Sequence, residues 1–140
     1  MDKPDKKMGP YKRAVAEVTA RAGAKRIEKD GLVLHEYPDY ESYREAQTLG
    51  NKAKLRMQFV KESHIEILSG YITEHLGEVT FGLCHGTRRG AEQSWFRDHL
   101  PGTPEIIGTE ISDTATDFPN TVQWDFHDEN PEWTGRADFV

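Results

Sequence analysis

Glu78-Val79-Thr80-Phe81-Gly82-Leu83-Cys84, followed at once by His85-Gly86-Thr87-Arg88-Arg89-Gly90-Ala91-Glu92, is the stretch that decides the fold. The first seven residues form a short, largely apolar run that reads as a buried strand. A glycine-punctuated turn follows, and then Ala91, Trp95, Phe96 and Leu100 recur at helical spacing, predicting a helix over Arg89–His99. A second strand is expected at Pro104–Thr109, ending at Glu110, and a third at Thr121–Phe126. Between them, Asp113–Asp117 has room for one helical turn before Pro119, and Ala137–Val140 reads as the start of a fourth strand. Strand, turn, helix, strand at this spacing predicts a parallel doubly wound α/β sheet.

Upstream, the pattern is helical. Residues 1–10 read as a disordered arm, and Ala14, Val15, Val18 and Ala22 predict an amphipathic helix over Tyr11–Ala24. Asp30-Gly31 marks a turn into a short Leu32–Leu34 strand. Asp39 is placed to cap a helix from Tyr40 to about Phe59, within which Gly50 marks a kink or a close approach. Ser63 and Glu66 have capping-box spacing, and Ile65, Leu68, Tyr71, Ile72 and Leu76 form the inner face of the helix that Gly77 ends. The expected organisation is therefore an arm (1–10), a helical N-terminal segment (11–76) and a sheet-forming segment (77–140).

Composition narrows the function. The 140 residues carry 18 Lys plus Arg against 24 Asp plus Glu, a net charge of −6. That charge is uneven: residues 1–30 are net +4 and residues 91–140 net −9. An acidic C-terminal third repels phosphate backbones, so no nucleic-acid partner is expected. No apolar run reaches the roughly 18 residues of a membrane span, and the N-terminus lacks an apolar signal core. The single cysteine, Cys84, rules out an internal disulfide and suits a reducing, cytoplasmic setting.

The candidate chemistry sits at the ends of the expected strands. Gly86 and Gly90 fit either a loop that lets a ligand approach the backbone or a bare strand-to-helix turn. The helix start offers free N–H groups to a carboxylate or phosphate. Glu110, twenty residues past Gly90, stands where sheets of this kind keep an acid for ribose hydroxyls, or is a plain loop acid. Asp125 is placed to reach an adenine amino group or to cap the next turn. Arg88 and Arg89 fit a carboxylate clamp or a solvated first turn. Trp95, Phe96 and Trp124 read as core before stacking surface. Cys84 and His85 stand without a second cysteine or metal-ligand histidine spacing, so neither a metal nor a nucleophile is expected.

Three segments carry a resemblance. His85-Gly86-Thr87-Arg88-Arg89-Gly90-Ala91-Glu92, Ile107-Gly108-Thr109-Glu110-Ile111-Ser112 and Trp124-Asp125-Phe126-His127 resemble class I S-adenosylmethionine-dependent methyltransferases, and more closely a bacterial methyltransferase-like group. Gln47, Gly50-Asn51-Lys52 and Lys54-Leu55 resemble the segment leading into that domain, so the likeness spans residues 40–140. It implies a Rossmann-like sheet that binds S-adenosylmethionine. His85, Gly86, Thr87, Arg88 and Gly90 would lie along the methionine moiety. Glu110 would hold the ribose, Asp125 and Phe126 would line the adenine, and Ile111 would belong to the same cofactor site.

Two departures qualify the resemblance. Cys84-His85 stand where most of the family carries an acid before an alternating Gly-x-Gly, and the next glycine is four residues on. The fourth strand has only begun at Val140, which implies a truncated copy, a fragment or a protein completed by another chain. The expected activity is methyl transfer to an unidentified acceptor. The alternatives are a non-catalytic or partner-dependent cofactor-binding module, and a nucleotide-sugar or NAD-dependent enzyme, whose Gly-x-Gly-x-x-Gly spacing is not found. An unpaired apolar edge at Val79–Cys84 is expected to favour self-association.

Overall fold

Parallel pairing of three short strands organises the C-terminal part of the protein in the computed structural model, which describes residues 8–140. The chain divides into two compact units, one up to Leu55 and one from Arg56 onward. The expected boundary at residue 76 moves upstream because the helix before it packs with the sheet-forming segment.

The first unit holds α1 (Pro10–Arg21), a hairpin of β1 (Lys25–Lys29) and β2 (Leu32–Glu36), and α2 (Tyr40–Ala53). The disordered arm expected at 1–10 lies outside the described residues up to Lys7, and its last residue already begins α1. Proline tolerates that first helical position because its missing N–H has no partner there. The expected Leu32–Leu34 strand is present as part of β2, but β1 is not expected from sequence, because four charged side chains out of five hide its strand character. Asp30 and Gly31 both take left-handed backbone angles (φ 52° and 76°), as the tight two-residue turn of a hairpin requires. Asp39 caps α2 as expected, its carboxylate accepting the Ser42 N–H at 2.7 Å. That helix stops at Ala53, short of Phe59, and a side chain at Gly50 would meet nothing within 4 Å, so no close approach is involved.

The second unit holds α3 (Glu62–Leu76), β3 (Phe81–His85), α4 (Ala91–His99), β4 (Glu105–Glu110), a 3-10 turn (Asp113–Asp117) and β5 (Thr121–Gln123). Ser63 does not cap α3. The helix starts at Glu62, and the Lys61 N–H donates to His64 Nδ1 at 3.3 Å instead. Gly77 ends it at φ 68°. Its buried face is Ile65 and Ser69 with Ile72 half-buried, while Leu68, Tyr71 and Leu76 of the expected face are exposed. Ile65 joins Val79, Phe96, Leu100 and Ile106 in the core between helices and sheet. Trp95 packs partly buried against this cluster, and Trp124 lies edge-on to Trp133.

The sheet runs β3-β4-β5, all parallel, with Phe81 beside Glu105 and Gly108 beside Thr121. The expected third strand is shorter, ending at Gln123, although the Trp124 N–H still donates to Glu110 O at 2.9 Å. On the other side of β3, Phe139 bridges Gly82 in parallel. The Asp138 N–H donates to Phe81 O (2.8 Å) and the Leu83 N–H to Phe139 O (3.1 Å). This corrects the expectation of an open edge at Val79–Cys84. Residues 138 and 139 occupy it, and the spatial order becomes 139, β3, β4, β5. Gly82 is required there, since a Cβ would lie 2.5 Å from the Phe139 ring.

The Asp138 carboxylate fastens this added segment. Its Oδ2 accepts the N–H groups of Thr80 (2.8 Å) and Phe81 (3.0 Å) and the Thr80 hydroxyl (3.3 Å). The two backbone N–H bonds hold its pKa below the ordinary 3.8. A lowered folded pKa gives stability that is present above the unfolded value and lost as pH falls through the folded one. Asp138→Asn should therefore lower the melting temperature at pH 7, and the gap to the parent chain should close below pH 3.8. A gap that stays constant across a melting series from neutral to acid pH would remove the carboxylate from this role.

Candidate functional site

The chain leaves β3 toward β4 on one side and returns beside β3 through Asp138 and Phe139 on the other. In an open parallel sheet, the crevice outside the carboxyl end of such a strand is where ligands gather. The expected site residues lie at the ends of β3, β4 and β5, and hydrogen bonds and ring contacts tie them together.

The loop after β3 is held to β4 by backbone and carboxylate. The N–H groups of Gly86 and Thr87 both donate to Thr109 O, at 2.8 and 3.1 Å. The Arg88 N–H donates to Glu110 Oε2 at 3.0 Å, while Glu110 Oε1 accepts the Ser112 N–H at 3.1 Å. Glu110 is 1% exposed, so its carboxylate is a strut inside the loop cluster. Gly86, Arg88 and Gly90 all have positive φ (71°, 48° and 76°), a conformation that costs Arg88 energy and that the Glu110 contact offsets. The Arg88 guanidinium lies 4.8 Å from the centroid of Phe59, a cation–π contact in place of the solvated arrangement. Arg89 is exposed in the turn.

A second buried carboxylate shapes the exit from β5. Asp125 is 5% exposed, and its Oδ1 accepts the His127 backbone N–H (3.1 Å) and lies 2.9 Å from His127 Nδ1. An ionised carboxylate only accepts, so Nδ1 carries the proton in this pair. The His127 ring stacks on Phe126 (centroids 4.7 Å), and Phe126 lies 5.5 Å from the His85 ring. His85 Nδ1 is 2.7 Å from Thr109 Oγ1, and partial burial moves the His85 pKa down, favouring the neutral ring. His127 was absent from the candidates named from sequence. The available signal was the Asp-x-His spacing of residues 125–127, which lets a side chain fold back on its neighbour but one.

Gln93 was also missed. It is 1% exposed, donating through Nε2 to Thr121 Oγ1 at 2.9 Å and so joining the first turn of α4 to the start of β5. Gly90 and Gly108 make room for it, because a Cβ at either would lie 2.6 and 2.2 Å from its Nε2. The glycine of Ile107-Gly108-Thr109 therefore serves packing.

Tested against an adenosine-bearing cofactor, the rim fits in two respects. The exposed rings of His85, Phe126 and His127 offer planar surface, and nothing lies within 4 Å of a Cβ built on Gly86. A cleft of about 400 Å³ opens beside β3, bounded by Leu83, His85, Glu92, Phe96 and Phe139. Glu110 and Asp125, in contrast, spend oxygens on their own loops. Ile111 is half-buried beside Glu110. Among the described residues, no three His, Cys, Asp or Glu side chains converge as a metal site.

Cys84 lines the same cleft, and burial, with a smaller contribution from Glu92, pushes its thiol up to about 12. It stays protonated at neutral pH and is a poor nucleophile. Iodoacetamide at pH 8 should label the native chain at least about 10-fold more slowly than the urea-unfolded chain. Equal rates would show that the thiol is not shielded. No protein-family model, curated protein or solved structure matches the chain.

Proposed function

We propose that residues 56–140 form a Rossmann-like cofactor-binding unit of an S-adenosylmethionine-dependent methyltransferase, with an acceptor still to be identified. The observation that carries this reading is the strand order 139, β3, β4, β5, which puts His85-Gly86, Glu110 and Asp125-Phe126 at the carboxyl ends of neighbouring strands. Strand order and site position together are what this architecture needs to bind a nucleoside cofactor.

On this reading the adenine lies against Phe126 and the methionine end passes the open backbone at Gly86. Ribose hydroxyls reach Glu110 when its Oε2 exchanges the Arg88 N–H for a ligand hydroxyl. The pocket then closes around the ligand as the Arg88 loop reorders. The cofactor itself supplies an activated sulfonium methyl group, and the protein contributes proximity and in-line orientation.

A ligand that binds only the folded state raises its melting temperature. S-adenosylhomocysteine at 100 times its Kd should stabilise the chain by about 2.7 kcal/mol, a rise of several degrees. NAD should give none, since the pyrophosphate-binding glycine spacing is missing. Phe126→Ala removes an exposed ring and should reduce the S-adenosylhomocysteine rise without unfolding the protein. Glu110→Gln should reduce it too, with some loss of intrinsic stability. Absence of any rise in a folded chain would reject the binding reading, and an equal rise with NAD would favour the nicotinamide alternative.

A further inference from the structure

Both strands of the β1–β2 hairpin are exposed along their whole length. Leu32, Val33 and Leu34 are 63%, 50% and 46% exposed. A two-stranded ribbon is marginal in water and gains independent stability from a third strand or a packed face. Its two outer edges differ in character. β1 presents Lys25, Arg26, Glu28 and Lys29, the charged pattern that blocks edge-to-edge pairing, and Arg26 already pairs with Glu28 at 2.5 Å. β2 presents three consecutive apolar residues with no charge among them.

Ladder geometry fixes which groups face outward. Lys29 and Leu32 flank the two-residue turn and form its hydrogen-bonded pair. Alternation then turns the N–H and C=O of Val33 and His35 away from β1. We propose that this free edge of β2 pairs antiparallel with β2 of a second copy of the chain, with the two Val33 residues facing each other across a two-fold axis. In that register each Leu32 lies opposite Leu34 of the other copy, in the pair type that brings side chains closest. The register is self-complementary, sets only apolar residues opposite one another within Leu32–Leu34, and is limited to that segment because beyond it Glu36 meets Asp30 of the other copy's turn. It creates a four-stranded sheet in the order β1-β2-β2-β1. Ile27 is paired with Leu34 within each hairpin, so Ile27, Leu32 and Leu34 from both copies form one continuous apolar face. The proposal is independent of any cofactor.

Sedimentation equilibrium of the full chain over a concentration series tests it. The parent protein should dimerise. Val33→Pro removes an outward N–H that the hairpin's own ladder does not use, and should raise the dimer Kd by more than about 10-fold. Val33→Lys should do the same by charging the edge. Glu28→Pro, at the outward position of β1, should leave the dimer intact. Circular dichroism of each variant confirms that the helices remain folded. A parent chain that is monomeric at its highest soluble concentration would overturn the proposal. So would a dimer that survives both Val33 variants, or one that Glu28→Pro dissolves equally.

Discussion

The Glu110 carboxylate holds the strand ends in register with their loops. One oxygen fixes the Arg88 N–H of the loop after β3, and the other fixes the Ser112 N–H leading into the 3-10 turn. The Ser112 donor is buried and the Arg88 donor partly buried, and leaving a buried donor without a partner costs roughly 1–3 kcal/mol. The left-handed backbone of Arg88 persists because this contact over-determines it. Asp125 repeats the device one strand further along, where it fixes the position of His127 and, through ring stacking, of Phe126. Asp138 repeats it a third time at the edge of β3. Three carboxylates thus shape the loops and edge that surround the candidate site, each by accepting N–H groups that the sheet leaves over.

Such a site has a built-in tension. The acids that sequence position assigns to a ligand are the acids the loops need for themselves. On the proposed reading, ligand binding at Glu110 would exchange one hydrogen bond for another and contribute little net, and the exposed rings and open glycine backbone would supply the contact area.

Much of the second unit was legible because its signals are local. The apolar run before Cys84, the period change after Gly77 and the spacing of Pro104–Glu110 each specify an element without reference to the rest. The 3-10 turn at Asp113–Asp117 and the cap at Asp39 followed from the same kind of signal. Features set by tertiary partners were not legible. β1 is a strand because β2 pairs with it, against the charge of Lys25–Lys29. Leu68 and Tyr71 read as core by helical spacing, yet α4 packs against this helix and Ile65 is the residue that enters the core cluster. Gln93 is buried because Gly90 and Gly108 leave space for its amide, and the second of these lies fifteen residues away. Glu110 and Asp125 were picked out by position, and their commitment to backbone N–H groups depended on loop conformations that no spacing encodes.

On the proposed reading, the carboxyl ends of β3, β4 and β5 form one nucleoside-cofactor site. Titrating the 15N-labelled chain with S-adenosylhomocysteine and following its backbone amide resonances tests this most directly. The account predicts saturable shifts clustered at Gly86, Arg88, Ile111, Phe126 and His127, with the Arg88 amide moving as its bond to Glu110 exchanges. Saturable shifts confined to other residues, or none at millimolar ligand in a folded chain, would contradict it.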